Sequence, residues 1–398
     1  MFVRTKITEA HIPNTLISLG EQMFEGCSEL TSVTVPDSIT KIEANTFNGC
    51  SKLSQFTIPS KVTAIGASAF ERCSSLTSIA LPEGLTEIGN SAFKQCSKIT
   101  ELYLPSTLVT IGEEAFFYVK SITKIVVPKS VKTIGKGAFS HCSSLREMTL
   151  PFIGNSAELN KEFTYTETEK TYFGYIFGNG DVEGVKIEQF VRGGLNNESY
   201  EFTLPKNLST LTVTSDHIPT YSLSGCSTIK TLKIQSEEIN LARNSISSLE
   251  SVVTIALEGK ITEIAPATFS GCTSLTNITV TDNKIVKIGE GAFAGCASLV
   301  SLPLEILETI GNGAFSGCSS LKNINFPTSL KSIGALAFEG CSALESVTFA
   351  LSDGWSVKNE NDSFGIGLNL PSRNATYLID SYKHYKWERE KTSDSSAS

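Results

Sequence analysis

The ten cysteines are the residues with the most evident chemistry in this sequence, since thiols form disulfides and bind metals. Their spacing argues against both roles. Nine of them follow a phenylalanine by three residues, and Cys226 follows Leu223 by the same interval. Equivalent residues of stacked repeats lie about 4.8 Å apart with parallel side chains, which is poor disulfide geometry, and no C-x-x-C pair is present. The sequence therefore predicts ten buried, unpaired thiols that pack as small hydrophobic residues.

The other candidate chemical groups form no motif. The four histidines, His11, His141, His217 and His384, are far apart in the sequence and are interpreted as surface or loop residues. Glu167, Glu169 and Asp181 could supply paired carboxylates for glycoside hydrolysis, although acids in a soluble loop are usually only solvated. There is no G-x-S-x-G, H-E-x-x-H or phosphate-binding loop. We therefore expect no enzyme activity, no cofactor and no bound metal.

The element that positions these residues is a repeat of 23 residues. Within each regular stretch one aromatic position recurs every 22 to 24 residues. A fixed period of this length indicates stacked supersecondary units, in which each unit buries its apolar face only against its neighbours. The aromatic position is occupied by Phe24, Phe47, Phe70, Phe93, Phe116, Phe139, Phe269, Phe293, Phe315 and Phe338.

One repeat, residues 68–89, illustrates how a coil of this solenoid is built. Ile79 and Leu81 alternate with Ser78 and Ala80, so the first pair is predicted to point inward from a parallel strand and the second pair outward. Pro82 lacks the N–H that a strand ladder needs and is predicted to end the strand. Gly89 is predicted to form a corner where φ is positive or space is short. A helical turn around Ala-Phe-x-x-Cys should then lead into the next coil.

Composition and charge exclude several classes of partner. The 398 residues carry a net charge of −8, and the lysines are scattered among acids, which argues against nucleic acid as the main ligand. No apolar run approaches a membrane span, so we expect no membrane insertion. Residues 1–9 show no signal-peptide core, and this predicts either an excised piece of a longer protein or unconventional export.

The periodicity divides the chain into four parts. Residues 1–150 form a first repeat block, and residues 202–350 form a second one. Residues 151–201 are an irregular, aromatic-rich insertion that is predicted to contain a degraded repeat. Residues 351–398 are predicted to be a C-terminal cap with a polar tail, in which Leu378, Tyr382 and Tyr385 fall at helical spacing.

The phrase A-F-x-x-C-S-S-L-x-x-I-x-L-P-x-x-L-x-x-I-G, found from Ala69 to Gly89, resembles the BspA-like leucine-rich-repeat family of microbial surface proteins. The likeness covers residues 5–150 and 202–350, and the segment 172–178 is similar to one seen in some members. The resemblance implies a right-handed leucine-rich-repeat horseshoe of about a dozen coils. Its parallel β-sheet would be accompanied by short helical turns or short strands on the other faces. It also implies display outside the cell, often as an adhesin.

Two regions are candidates for binding a partner. On the outward side of the strands, Tyr103 and Val126 place apolar side chains in neighbouring repeats. We hypothesise that they form a contact patch with flanking charged residues, although such residues also simply suit a solvated strand face. The rival site is the insertion, whose aromatics would otherwise fold back as a plug over the solenoid. The candidates are Glu101, Tyr103, Lys124, Val126 and Glu147 in the strands, and Tyr172, Phe173 and Tyr175 in the insertion.

Function is therefore expected to lie in surfaces. The sequence and the resemblance together favour a monomeric cell-surface or secreted adhesin that binds a host, matrix or other cell-surface protein, or a glycan. The alternative is a cytoplasmic interaction scaffold, which fits the absent signal peptide and the unpaired thiols.

Overall fold

A computed structural model describes residues 2–158, 169–180, 183–190, 199–359, 361–368 and 370–390. The chain divides into two compact units, Met1–Thr214 and Ser215–Ser398. Both are built from solenoid turns of about 23 residues, about 14 in all. The predicted repeat solenoid is thus confirmed, with slightly more coils than expected. The boundaries predicted at residues 150, 201 and 350 fall inside these units and stay predictions.

The described part of the first unit contains short strands, together with 3-10 turns at Glu169–Thr171 and Phe173–Ile176. In chain order the strands are β1 (Glu9–His11), β2 (Ser32–Thr34), β3 (Lys41–Ile42), β4 (Gln55–Thr57), β5 (Ala64–Ile65), β6 (Ser78–Ala80), β7 (Glu87–Ile88), β8 (Thr110–Ile111), β9 (Lys124–Val126), β10 (Thr133–Ile134), β11 (Glu147–Leu150), β12 (Val185–Phe190), β13 (Ser199–Leu204) and β14 (Thr210–Val213).

Each regular coil of this unit has three sides. The first strand of each coil lies on what we call the strand face, where β1 pairs with β2, β4 with β6, and β11 with both β9 and β14, all in parallel. The second strand lies on the return face, where β3, β5, β7, β8 and β10 form one parallel sheet. The Phe-to-Cys segment forms the third side, the turn face. The short strands predicted for another face are therefore those of the return face.

The turn face is not helical, and the prediction of a helical turn at Ala-Phe-x-x-Cys is wrong. The residues two before and two after the phenylalanine have positive φ, as in Ser68 at 52° and Arg72 at 61°. Left-handed residues at this spacing prevent a right-handed helix. They turn backbone N–H groups toward the next coil, so that Phe70 N donates to Ala92 O at 2.8 Å. The coils are therefore joined by backbone hydrogen bonds on this side as well.

The core is a column of phenylalanine rings with a column of thiols beside it. Phe70 stacks on Phe93 with ring centroids 5.3 Å apart and planes 1° apart, an offset separation that suits aromatic pairs. Phe2 extends the column by one ring, at 5.6 Å from Phe24. The Cys96 thiol donates to Phe70 O in the preceding coil at 3.0 Å, so the buried S–H has an acceptor. The repeat thus places its largest apolar groups where each coil covers the next.

Glycine at the return corner is required by space, not by φ. A Cβ added to Gly66 would lie 2.7 Å from Ala44 N in the preceding coil, and the backbone there has no room to yield. Positive φ occurs instead at the turn face, where Gly49 has φ of 77°. Of the two reasons predicted for the corner glycines, close approach of the coils is therefore the one that applies at Gly66.

The described part of the insertion covers two sides of the coil that contains Phe139. Asn155 O accepts from Ile134 N at 2.8 Å on the return face, and Ile176 O accepts from Phe139 N at 2.9 Å on the turn face. Ile176 therefore takes the place that Ala138 holds for Phe116, and Phe177 follows in the position of a repeat aromatic. The chain then forms the antiparallel hairpin of β12 and β13 before β14 rejoins the strand face.

The second unit has longer strands and a mixed C-terminal end. Helix α1 (Pro371–Thr376) continues as a π-helical turn at Tyr377–Ser381, so Tyr382 and Tyr385 lie beyond the helical segment that their spacing suggested. The strands are β15 (His217–Ile218), β16 (Thr231–Glu238), β17 (Asn240–Leu241), β18 (Thr254–Ile264), β19 (Asn277–Ile288), β20 (Thr309–Ile310), β21 (Asn323–Phe326), β22 (Ser332–Ile333), β23 (Ser346–Phe349), β24 (Trp355–Lys358), β25 (Ser363–Gly365) and β26 (Lys386–Arg389).

The last coil of this unit is covered by antiparallel strands. β26 pairs with β22 on one side and with β24 on the other. Trp355 and Trp387 are buried, and both rings lie against Phe349, with centroids 5.1 and 6.3 Å away. An antiparallel strand on β22 occupies the edge that another parallel coil would need.

Candidate functional site: the outer patch of the strand face

The outer patch consists of Glu101, Tyr103, Lys124, Val126 and Glu147, which lie in three successive coils of the first unit. Strand alternation brings them outward, because β9 buries Ile125 and exposes the residues on either side of it. In the preceding coil, Leu102 is buried while Glu101 and Tyr103 are exposed. The structure therefore places all five predicted residues on the solvent side.

Tyr103 and Val126 are the apolar members of the outer patch. Their side chains are 76% and 48% exposed. Residues 101–104 form no regular strand, and a single bridge from Glu101 to Ser78 holds this coil to the preceding one on the strand face. Tyr103 thus projects from a segment that is weakly paired on the strand face, and its exposed ring is available for contact.

The charged members surround these two side chains. Lys124 and Glu147 are register partners in β9 and β11, and their side chains form an ion pair at 3.3 Å. Both side chains are more than half exposed, so the pair adds little to stability. The ion pair holds a cation and an anion side by side near Val126. Val126 is itself the register partner of Thr149.

The three aromatic candidates of the insertion lie in the core. Tyr172 and Phe173 are fully buried, and Tyr175 is 6% exposed. Phe173 packs edge-on against Phe177 at 5.2 Å, and Tyr172 lies 6.0 Å from Tyr200. These side chains offer no surface to a partner, which contradicts their use as contact residues and agrees with the alternative of aromatics folded back on the solenoid.

Among the described residues, the side chains considered for catalysis or metal binding do not come together in one site. Glu167 and Asp181 lie outside the described residues. Glu169 is described, and it forms an ion pair with Lys136. Within the described ranges, no group of three or more His, Cys, Asp or Glu side chains is arranged to hold a metal ion.

All ten cysteines are buried and form no disulfide, as predicted. Burial raises the pKa of the Cys272 thiol to about 12, partly offset by a backbone hydrogen bond. For Cys50, burial and then the nearby Cys27 thiol raise the pKa to about 12. A thiol with so high a pKa is neutral at physiological pH and is a poor nucleophile and metal ligand.

An aromatic group on the turn face of the first unit was missed in the sequence. Phe117 lies 4.5 Å from the His141 ring and 6.4 Å from Tyr118, and all three are half-buried. Lys94 Nζ lies 4.6 Å from the Phe117 ring, and Lys120 Nζ lies 4.1 Å from the Tyr118 ring. The signal was present, because other coils carry small or polar residues at the two positions after the repeat phenylalanine, where this coil has Phe-Tyr.

The described residues contain no helix with the length and apolar character needed to span a bilayer.

Comparison with known proteins places this arrangement among leucine-rich repeats. The model of the BspA type leucine rich repeat region matches residues 1–119, 109–170, 195–306 and 287–360, in six copies. Among solved structures, a leucine-rich repeat protein from Bacteroides ovatus is 30% identical over 86% of this chain and 78% of its own, with a TM-score of 0.45. A leucine rich cell surface protein from Faecalibacterium prausnitzii is 21% identical over 87% and 89% of the two chains, with a TM-score of 0.34. No curated protein matches the sequence.

Proposed function

Because the chain belongs to the BspA-type leucine-rich-repeat family, we propose that it is a non-catalytic module that binds a partner protein through the outer patch. Leucine-rich repeats are generally protein-interaction modules, and a solenoid presents side chains of successive coils as one continuous surface. Function must be argued from a site, and the outer patch supplies one.

The observation that carries the proposal is the exposure of Tyr103 and Val126 in adjacent coils. Equivalent positions elsewhere on this face hold small or β-branched residues, namely Thr34, Thr57, Ala80 and Thr149. A solvated strand face has no need of a tyrosine, whereas tyrosine is enriched at protein interfaces because it offers a large apolar ring with a polar end. The flanking ion pair of Lys124 and Glu147 suits the charged rim of such an interface.

The partner class we propose is an extracellular protein, such as a host, matrix or neighbouring-cell surface protein, bound by this chain as a cell-surface or secreted adhesin. This rests on the family. A glycan is the other class of ligand that an exposed tyrosine would serve, and the binding experiment separates the two.

Surface-plasmon binding to panels of matrix proteins, host glycoproteins and free glycans tests the proposal. The double variant Tyr103→Ser, Val126→Ser should lose at least tenfold in affinity for the protein that binds, with an unchanged melting temperature because both side chains are exposed. The matched control is Ala80→Ser, in the same row one coil earlier, which should bind normally. An affinity unaffected by the double variant would exclude the outer patch.

An intracellular interaction scaffold is the second candidate, and the absence of disulfides among the ten described cysteines favours it. Ten buried cysteines that form no disulfide are typical of a reducing compartment. Fractionation of the native organism with an antibody to this chain distinguishes the candidates: recovery from the surface or medium supports the adhesin, and recovery with the cytosol supports the scaffold.

The non-catalytic part of the proposal has its own test. The one described carboxylate of the three candidates, Glu169, is paired with Lys136 and is not free to act as acid or base. Incubation of the purified chain with glycan and peptide panels should give no turnover, and product formation that depends on Glu167 or Asp181 would refute this part.

A further inference from the structure

A pocket interrupts the strand face of the second unit at the coil of residues 299–311. It has a volume of about 280 Å³ and is lined by apolar side chains that include Leu304, Phe315 and Phe338. Polar residues Ser301, Asn323 and Asn325, together with Glu305, complete the lining. This composition, an apolar floor with a few polar groups, is typical of binding pockets.

The pocket arises from a displaced proline. Other coils place proline six residues after the buried leucine that precedes the strand, as in Leu76 and Pro82, but here Pro303 follows Leu299 by four. Proline between the two inward positions of a strand removes a ladder hydrogen bond. Residues 299–308 accordingly form no strand, and Leu302 and Leu304 are only partly buried.

The same defect leaves the backbone of β21 open on one side. Among the described strands, β21 pairs in parallel with β23 alone. Phe326 O accepts from Ala350 N at 3.0 Å, so the backbone groups of Phe326 point toward the following coil. Successive residues of a strand point their backbone N–H and C=O groups to opposite sides. The backbone groups of Asn323 and Asn325 therefore point toward the preceding coil and the pocket. Within the described residues, these groups have no backbone partner in the 299–308 segment. An open strand edge is a template for an added strand.

Glu305 sets the charge of the rim. Of the described residues that line the pocket, it is the sole charged one, and Asn283 Nδ2 donates to its Oε2 at 2.6 Å. That hydrogen bond fixes the carboxylate position without neutralising its charge. A cationic group on the ligand would therefore be favoured.

We propose that this pocket binds an extended peptide segment of a partner protein by strand addition. The peptide backbone pairs with Asn323 and Asn325, one apolar side chain enters over Phe315 and Phe338, and an adjacent Lys or Arg meets Glu305. Main-chain pairing supplies affinity and the pocket supplies specificity, as in other strand-addition sites. The site is independent of the outer patch, because it uses different residues in the other unit.

A random heptapeptide display library, selected against the whole chain, tests the proposal. The enriched peptides should share an apolar residue within two positions of Lys or Arg. Ser301→Trp, which fills the mouth of the pocket, should weaken their binding at least tenfold. Because Ser301 is exposed, Ser301→Trp should keep the parental melting temperature. If its melting temperature falls, Pro303→Thr is used instead, because threonine allows the strand to form and close the pocket.

Reversing the charge of Glu305 gives a second test of the proposal. Glu305→Lys should turn the preference of the selected peptides from basic to acidic residues, whereas Glu345→Lys, an equal change at an exposed residue outside the pocket, should leave it unchanged. The proposal would be overturned if the parent chain enriched no peptides relative to Ser301→Trp, or if the selected peptides kept their charge preference in Glu305→Lys. The pocket would then be a packing defect. Tyr103→Ser, Val126→Ser should bind these peptides normally, so failure here and failure of the outer patch are distinguishable.

Discussion

The coils of the first unit and those at residues 231–288 of the second share one plan but treat the corner after the first strand differently. In the first unit, Pro82 and its equivalents follow the strand, and β6 and β7 are separate strands of 3 and 2 residues. In the second, Glu258 stands where the proline would be, and β18 runs through the corner for 11 residues. Gln235 and Glu258 are register partners there, and their side chains also bond at 2.7 Å.

The difference teaches which part of the repeat is obligatory. A buried apolar residue recurs at the Phe and Cys positions of both regions, with Ile246 and Leu249 replacing them in one coil, whereas the corner tolerates either a proline break or a continuous strand. The Pro303 coil is the third case, in which the proline falls inside the strand and the ladder fails. Proline after the strand thus gives a corner, its absence gives a continuous strand, and proline inside the strand gives a gap.

The largest expected effect tests what the two regions share. Phe70→Ala and Phe269→Ala each remove a buried ring from a stack, next to Phe93 at 5.3 Å and Phe293 at 5.1 Å respectively. Each should lower the free energy of unfolding by about 3–5 kcal/mol. Urea denaturation measures it; a loss confined to one of the two variants would mean that the columns are not equivalent.

The second prediction exchanges the corner residues of the two regions. Glu258→Pro introduces proline into the middle of a strand paired on both sides and should cost about 3 kcal/mol or more. The reciprocal change, Pro82→Glu, only restores an N–H at a strand end and should leave the melting temperature nearly unchanged. Calorimetry of both variants is the check, and equal destabilisation would refute the role assigned to the corner.

The corner glycine provides a contrast within the first unit. Gly66→Ala places a Cβ 2.7 Å from Ala44 N and should cost up to about 3 kcal/mol by overpacking. Gly20→Ala, at the equivalent corner of an earlier coil, meets no atom within 4 Å and should be nearly neutral. Similar melting temperatures for the two variants would contradict close approach as the reason for the glycine.

The thiols should behave alike in both regions. Burial raises the pKa of Cys50 and of Cys272 to about 12, above the unfolded value. The folded state therefore holds the proton longer, and the contribution to stability is complete below about pH 8.5 and is lost as pH rises toward 12. Between pH 8.5 and 10 the ionisation of each thiol should lower the free energy of unfolding by about 1.5 kcal/mol. Urea titrations of Cys50→Ala and Cys272→Ala at both pH values should show a smaller alkaline loss than the parent.

Sequence by itself determined the repeat, the inward residues and the fate of the cysteines. These features follow from the alternation of apolar and polar residues along each strand and from the repeat period that neighbouring coils share. Phe70, Ile79 and Cys96 could therefore be assigned to the core. The exposure of Tyr103 and Val126 followed from the same alternation.

Tertiary structure alone decided the remainder, because it depends on contacts between coils. The positive φ of Ser68 and Arg72 is held by hydrogen bonds to the next coil, so a segment predicted to be helical forms a series of tight turns instead. Tyr172 and Phe173 are buried because the insertion takes the place of a missing coil beside Phe139, which their local sequence does not encode. The proline shift at Pro303 is visible in the sequence, but the pocket over Phe315 and Phe338 depends on how residues 301–305 pack against the following coil.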